Sequence, residues 1–386
     1  MPSRRLPPHV DLNALTRALA TRRAEGRPVA DLTESNPTRA GLSYPPDLLA
    51  ELASPRALRY DPRPFGLDAA REAVARDHRR RGAEIDPGRV VLTASTSEAY
   101  TWLFKLLCDP GDTVLVPRPS YPLFEHLTRL EGVCTAPFHL EYHGRWEIDF
   151  ETMEAAPERT RAMVIVSPNN PTGSFVSARE LERLFALCRD RGWALVADEV
   201  FADYPLEADA PVTDIAARAG VPCFTLGGLS KSAGLPQLKL GWIVVGGSQA
   251  ECAAALAGLE LIADSFLSVG TPVQVAAGAL LERGAAIRAQ IQDRTRTNLA
   301  TLRQVMTSFP ACEALKAEGG WSAVVRVPAT RSEEQLILDL LDREGILVHP
   351  GYFFDFPREA FIVMSLLPPP DVFADAVARL LRFAIS

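Results

Sequence analysis

Four short segments carry residue types suited to holding a small polar ligand. SPNNPTG (167–173) brings Asn170, ALVADEVF (194–201) brings Asp198, and GLSKSAGL (228–235) brings Lys231 beside Ser230. TASTSEA (93–99) adds Ser95, Thr96 and Ser97 at the start of a helix-like stretch. Each segment follows an apolar run, and ligands of open α/β sheets collect beyond the carboxyl ends of the strands. An amine, a carboxylate, an amide and several hydroxyls therefore converge on what one pocket could hold. Singly, each feature has a plainer reading. Gly- and Pro-rich turns at strand ends are structural, an Asp after a strand caps a helix, and a lone loop Lys sits at the surface. Their order and joint spacing carry the chemical reading.

The elements that must position them follow from periodicity. VVLT (90–93), TVLVP (113–117), AMVIV (162–166), WALVA (193–197), CFTL (223–226) and WIVVG (242–246) are nearly continuous apolar runs, the pattern of strands covered on both faces. Between two of them SARELERLFALCRDRG predicts a helix: Ser177 and Glu180 form a capping box, Leu181, Leu184, Phe185 and Cys188 share a stripe, and Gly192 stops it. Alternating strands and helices predict an α/β doubly wound domain with a mostly parallel sheet. Residues 11–25 read as a helix with Leu12, Leu15 and Leu19 on one face. After residue 272 a long helical stretch (about 273–307), WSAVVRV (321–327), a helix (332–344), ILVHPG and FIVMSLL predict a smaller α+β region. The expected division is a large domain over 45–272 and a small one built from 1–44 and 273–386.

Composition narrows the partners. With 386 residues, 47% hydrophobic and 23% charged, the chain is an ordinary globular protein of more than one core. A formal net charge of −7 offers nothing to a polyanion, so nucleic acid is not an expected partner and Arg79–Arg81 read as solvated surface. Six dispersed cysteines without CxxC or nearby His spacing predict buried thiols and no metal site. Met1–Val10 has no apolar core of a signal, and no membrane span is expected, so the expected location is the cytoplasm.

In YDPRPFGLDAAREAVA, TASTSEAY, DPGDTVLVPRPSYPLF, VIVSPNNPTG, ALVADEVF, GLSKSAGLPQLKLGW and GILVHPGYFF the chain resembles the class I/II aminotransferases. These are fold-type I pyridoxal 5'-phosphate (PLP) enzymes, and the resemblance spans almost the whole length. It implies that Lys231 forms a Schiff base with PLP and then shuttles a proton as the free amine. Asp198 would keep the pyridine nitrogen protonated, Asn170 would hydrogen-bond the ring hydroxyl, and Tyr121 would stack on the ring. Ser95, Thr96, Ser97, Ser230 and Lys239 would hold the phosphate, with the helix N-terminus helping. Tyr60 would reach the phosphate of the neighbouring subunit, which implies a homodimer with shared active sites.

Four positions depart from the family pattern. Lys239 stands where an Arg is typical, so charge survives without the planar fork. Gly228 removes a hydroxyl, and Phe201 replaces a Tyr that donates to the ring hydroxyl. Most consequential is Val363, in FIVMSLL, where an Arg would clamp the substrate carboxylate. Arg39 and Arg358 are the candidate replacements, with Asn36 also expected near the substrate. Phe65, Phe201, Trp321, Tyr352, Phe353 and Phe354 would either line a pocket for a bulky side chain or belong to core and interface.

The expected reaction moves an amino group between an amino acid and a 2-oxo acid. A PLP-dependent lyase or decarboxylase is the alternative, since the same carbanion can eliminate a substituent or arise by CO2 loss. A DNA-binding regulator with an aminotransferase-like domain is not expected, because the resembling segments begin within the first few dozen residues. A dinucleotide-dependent dehydrogenase lacks its GxGxxG after the first strand.

Overall fold

The computed structural model describes residues 3–7, 11–207 and 212–386; part of the N-terminal stretch read above for a signal lies outside them. A short strand, β1 (Ala30–Asp31), precedes the eight of the main sheet. These are β2 (Val90–Thr93), β3 (Thr113–Arg118), β4 (Cys134–Tyr142), β5 (Trp146–Ile148), β6 (Thr160–Val166), β7 (Ala194–Asp198), β8 (Cys223–Gly228) and β9 (Gly241–Gly246). Across the sheet they lie in the order β2-β9-β8-β7-β6-β3-β4-β5. β8, β7, β6, β3 and β4 run parallel, β5 turns back on β4, and β9 opposes both its neighbours. Passing β9 reverses direction twice, so β2 points the same way as β8. The carboxyl ends of β2, β3, β6, β7 and β8 therefore share one edge, where β9 begins.

The six apolar runs account for β2, β3 and β6–β9. Strand side chains alternate between faces, and the alternation feeds two cores. Val91, Val114, Val164 and Val196 pack with Tyr100, Trp102 and Phe104 of the helix Thr96–Leu107 on one side. Leu92, Leu115, Ile165, Leu195 and Ala197 pack with Leu181, Leu184 and Cys188 of the helix Ala178–Arg191 on the other. That helix carries the expected capping box between Ser177 and Glu180, and Gly192 closes it in the left-handed region at φ 69°.

The C-terminal part forms a second sheet from β10 (Glu313–Ala314), β11 (Ser322–Arg326), β13 (His349–Pro350) and β14 (Phe361–Ser365), with β12 (Ile346–Leu347) paired instead to β1. The sheet is antiparallel in the order β10-β11-β14-β13, and Val363 faces Val324 on one side and His349 on the other. Leu15 and Leu32 from the N-terminal segment share a core with Ile362, Met364 and the C-terminal helix Pro370–Ala384.

Several expectations need correction. The first helix starts at Ala14, because Asn13 caps it by accepting from the Thr16 N–H at 2.7 Å; Leu12 lies before it and is exposed. The stretch 273–307 is two helices, Thr271–Arg283 and Ala285–Met306, joined at Gly284. A Cβ there would lie 2.6 Å from the Ala233 Cβ, so the joint is where the helices press against the Lys231 segment. Arg81 is not solvated surface: its side chain is 12% exposed and its guanidinium lies 2.7 Å from Asp214, with Asp203 and Asp77 beside it. Among the six cysteines, none in a disulfide, Cys134 is exposed and Cys108 only half-buried. No helix among the described residues is long and apolar enough to cross a membrane.

Candidate active site

At the shared strand edge lies a cavity of about 400 Å³. Its wall contains Ser95, Thr96, Ser97, Tyr121, Asn170, Asp198, Phe201, Ser230, Lys231 and Lys239, ten of the residues singled out from sequence. They come from the ends of β2, β3, β6, β7 and β8 and the approach to β9, the geometry that the parallel strand directions dictate.

Lys231 sits on a short helical turn, Leu229–Ser232, directly after β8. Neighbouring elements hold that turn through its backbone. Tyr204 donates its hydroxyl to the Lys231 carbonyl, Arg288 donates to the Ser232 carbonyl at 2.7 Å, and Tyr44 donates to the Gly234 carbonyl at 2.8 Å. The amine lies 4.6 Å from the Trp321 ring centroid and 5.2 Å from that of Phe201. Burial lowers its pKa to about 8, the charge of Asp198 acting in the opposite direction.

Asp198 ends β7. Burial pushes its carboxyl above the usual carboxylate value, opposed by the Val200 N–H, Tyr100 and the charge of Lys231. Tyr100 donates to one carboxylate oxygen at 2.8 Å and the Val200 N–H to the other at 3.1 Å. Tyr100 lines the cavity but was not among the expected residues. The signal was present: it stands four residues after Thr96, one turn along the same helix face.

Asn170 accepts at its Oδ1 from the Ser322 hydroxyl at 3.3 Å, which ties the end of β6 to β11. Its neighbour Asn169 is buried as a structural group, accepting from Ser120 at 2.8 Å and donating to the Pro119 carbonyl at 3.0 Å.

Ser95 caps the helix Thr96–Leu107, its hydroxyl accepting from the Glu98 N–H at 3.1 Å. The following backbone N–H groups open the helix with no partner inside it. Close backbone approach shapes this end. A Cβ on Gly241 would lie 3.0 Å from the Ser95 carbonyl carbon and 3.2 Å from the Thr96 nitrogen, and one on Gly228 would lie 3.1 Å from the Leu240 carbonyl oxygen. The missing hydroxyl at Gly228 thus goes with tight packing at that position.

Other expected residues lie elsewhere. Tyr60 is 73% exposed and borders a separate, smaller depression with Asp61, Arg63 and Gln274. Asn36 does not line the cavity; its Oδ1 accepts from the Thr38 N–H at 3.1 Å and hydroxyl at 2.8 Å, capping the turn Pro37–Arg39. Arg39 and Arg358 are exposed and also absent from the wall, so neither reaches the position opposite Val363. Of the aromatic candidates, Phe201, Trp321 and Phe354 line the cavity, whereas Phe65, Tyr352 and Phe353 do not. Thr33, Ser35, Ser322, His349 and Ser365 form a polar wall that sequence reasoning missed.

The residues present fit PLP. The cavity offers an amine of lowered pKa, a buried carboxylate at a strand end, an amide and a flanking aromatic. At its other end a capped helix N-terminus, Ser230 and Lys239 suit a phosphate.

Comparison with known proteins agrees. The family model described as aminotransferase class I and II matches residues 28–372. An alanine aminotransferase of Mycobacterium tuberculosis is 30% identical over 376 residues, covering 94% of this chain and 87% of its own length. The glutamate-pyruvate aminotransferase AlaA of Escherichia coli is 27% identical, covering 93% and 91%. Among solved structures, an alanine aminotransferase from Pyrococcus furiosus superposes with a TM-score of 0.88 at 22% identity, covering 100% of both chains, a likeness of fold.

Proposed function

Because the chain belongs to the aminotransferase class I and II family, whose members depend on PLP, we infer that its transfer of amino groups between an amino acid and a 2-oxo acid takes place in the cavity walled by Lys231, Asp198 and Asn170. The observation that carries this assignment is the meeting of those three groups at one sheet edge, although 61 positions separate the first from the last, Asn170 to Lys231.

PLP supplies an aldehyde that takes up an amine and a ring that withdraws electrons from the bonds around the amino carbon. Around it, Lys231 provides the amine that holds the cofactor and, once released, takes and returns the substrate Cα proton. Its lowered pKa leaves a useful share of the amine neutral near pH 7. Asp198, held by Tyr100 and Val200, would supply a negative charge to the ring nitrogen. Asn170 and Tyr121 would hold the ring, and the 95–97 turn, Ser230 and Lys239 would receive the phosphate. Trp321 and Phe201, with rings 5.2 Å apart, flank the amine and limit water around it.

The relatives' names make alanine and pyruvate the first pair to test. Mixing PLP-loaded enzyme with single amino acids should convert bound cofactor stoichiometrically to its amine form and release the matching 2-oxo acid. Release of ammonia with unchanged cofactor would instead favour elimination. Borohydride reduction and peptide mapping should place the cofactor on Lys231, and a tag elsewhere overturns the assignment. The map is simple, because the chain has only Lys105, Lys231, Lys239 and Lys316 as lysines.

A homodimer also belongs to this reading. It is supported by large apolar side chains left exposed, Leu58 at 90%, Leu261 at 73% and Leu267 at 66%. Leu267 and Tyr60 border the same depression. Sedimentation should give a species of twice the 42.0 kDa chain mass, and Leu261→Glu should shift it towards monomer. A wild-type monomer at micromolar concentration rejects the dimer.

A further inference from the structure

We propose that His349, opposite Val363 across the small sheet, binds the substrate α-carboxylate in place of an arginine. The proposal rests on the aminotransferase reading for the identity of the ligand, and on three observations for the residue.

The first is the charge inventory of the wall. Among the described residues its basic side chains are Lys231, Lys239 and His349, and it contains no arginine. Lys231 would hold the cofactor. Lys239 precedes β9, whose first residue Gly241 packs closely on Ser95 and Thr96. A carboxylate entering this cavity still needs a donor, since burying it unpaired is prohibitive. His349 is the basic side chain of the wall that remains for it.

The second is register. His349 on β13 pairs with Val363 on β14, and directly opposed antiparallel residues project from the same face with Cβ atoms about 5 Å apart. Both line the cavity. A donor at 349 thus serves nearly the same volume as one at 363. Val363 leaves room there and supplies an apolar floor.

The third is the state of the ring. The Nδ1 of His349 is buried without a hydrogen-bond partner among the described residues, so Nε2 is the nitrogen left to meet a ligand. Phe353 and Phe354 pack on the imidazole at centroid distances of 5.9 and 5.8 Å and fix its orientation. Burial pushes its pKa below the ordinary histidine value, opposed by Asp31. A single imidazole N–H is a weaker partner than a guanidinium fork but cheaper to keep desolvated. Ser322, which donates to Asn170, lies on the same wall as a second hydroxyl.

Two measurements on PLP-loaded enzyme test this. Ethoxyformylation of histidines, read by peptide mass mapping, should label His349, and saturating propionate should suppress that label while leaving surface His143 labelled. Separately, His349→Ala should raise KM for amino acid and 2-oxo acid about 10- to 100-fold with kcat within a few-fold, the loss expected for one hydrogen bond to a charged group. It should leave KM for the corresponding carboxylate-free amine unchanged, and His349→Gln, which keeps a donor, should recover part of the loss. Absence of propionate protection, no labelling at 349, or equal KM changes with and without the carboxylate overturns the proposal. If wild type transfers no amino group at all, the aminotransferase reading fails, and the propionate protection decides the carboxylate site alone.

Discussion

Lys231→Ala should lower turnover on the order of 10⁴-fold, the upper end of what one positioned acid–base group contributes, while the protein stays folded. Two features make the loss large. Lys239, the other lysine in the wall, lies on a separate segment just before β9. Solvent is a poor substitute as well, because Trp321 and Phe201 stand within about 5 Å of the amine. Retention of the fold follows from how the turn is held. The bonds from Tyr204, Arg288 and Tyr44 all go to backbone carbonyls, which alanine preserves. A buried amine also carries a desolvation cost that alanine removes. The melting temperature should therefore be equal or higher in the cofactor-free protein, which separates lost chemistry from lost structure. Retention of more than a tenth of wild-type turnover would mean that a different group moves the proton.

The contrast between Lys231 and His349 shows what sequence makes legible. Lys231, Asp198, Asn170 and the 95–97 turn each sit directly after a continuous apolar strand, so one topological rule places them together. The wall across from them is assembled from both ends of the chain: Ser365 donates its hydroxyl to the Glu34 carbonyl at 2.6 Å, 331 positions away. No spacing argument brings Thr33, Ser322, His349 and Ser365 to one surface. Adjacency along the chain, to SNPT and to FIVMSLL, points to Arg39 and Arg358 as the cation near Val363, whereas the position that matters is across the strand pair. β4 escaped notice for a related reason. It lies near the sheet edge with alternating exposure and contains Pro137, so it lacks the continuous apolar run of its neighbours. The reversal of β9 was more accessible. The link from Gly228 to Gly241 holds only short helical turns, too little for the helical crossover that a parallel pair requires.

Asp198→Asn should cut turnover about 10²- to 10³-fold, the range for removing one preorganised electrostatic partner, with the opposite effect on the cofactor-free protein's stability at neutral pH and above. Asparagine keeps the shape and the local bonds: its carbonyl can accept from Val200 and its amide can donate to the Tyr100 oxygen. What disappears is the negative charge. The wild-type carboxyl has its pKa raised by burial, so the folded chain holds that proton more tightly than the unfolded chain does. With that sign, stability falls as pH rises from the ordinary carboxylate value through the raised one. The neutral variant escapes this fall, so its melting temperature should exceed that of wild type above that range and converge with it in acid. Once PLP is bound the order should reverse, since a cationic ring nitrogen makes the same carboxylate favourable. Denaturation curves with and without cofactor across pH measure both halves of the prediction. If the Asp198→Asn variant melts lower than wild type in the cofactor-free form at pH 8, the carboxylate is held for structure and its role opposite the ring must be given up.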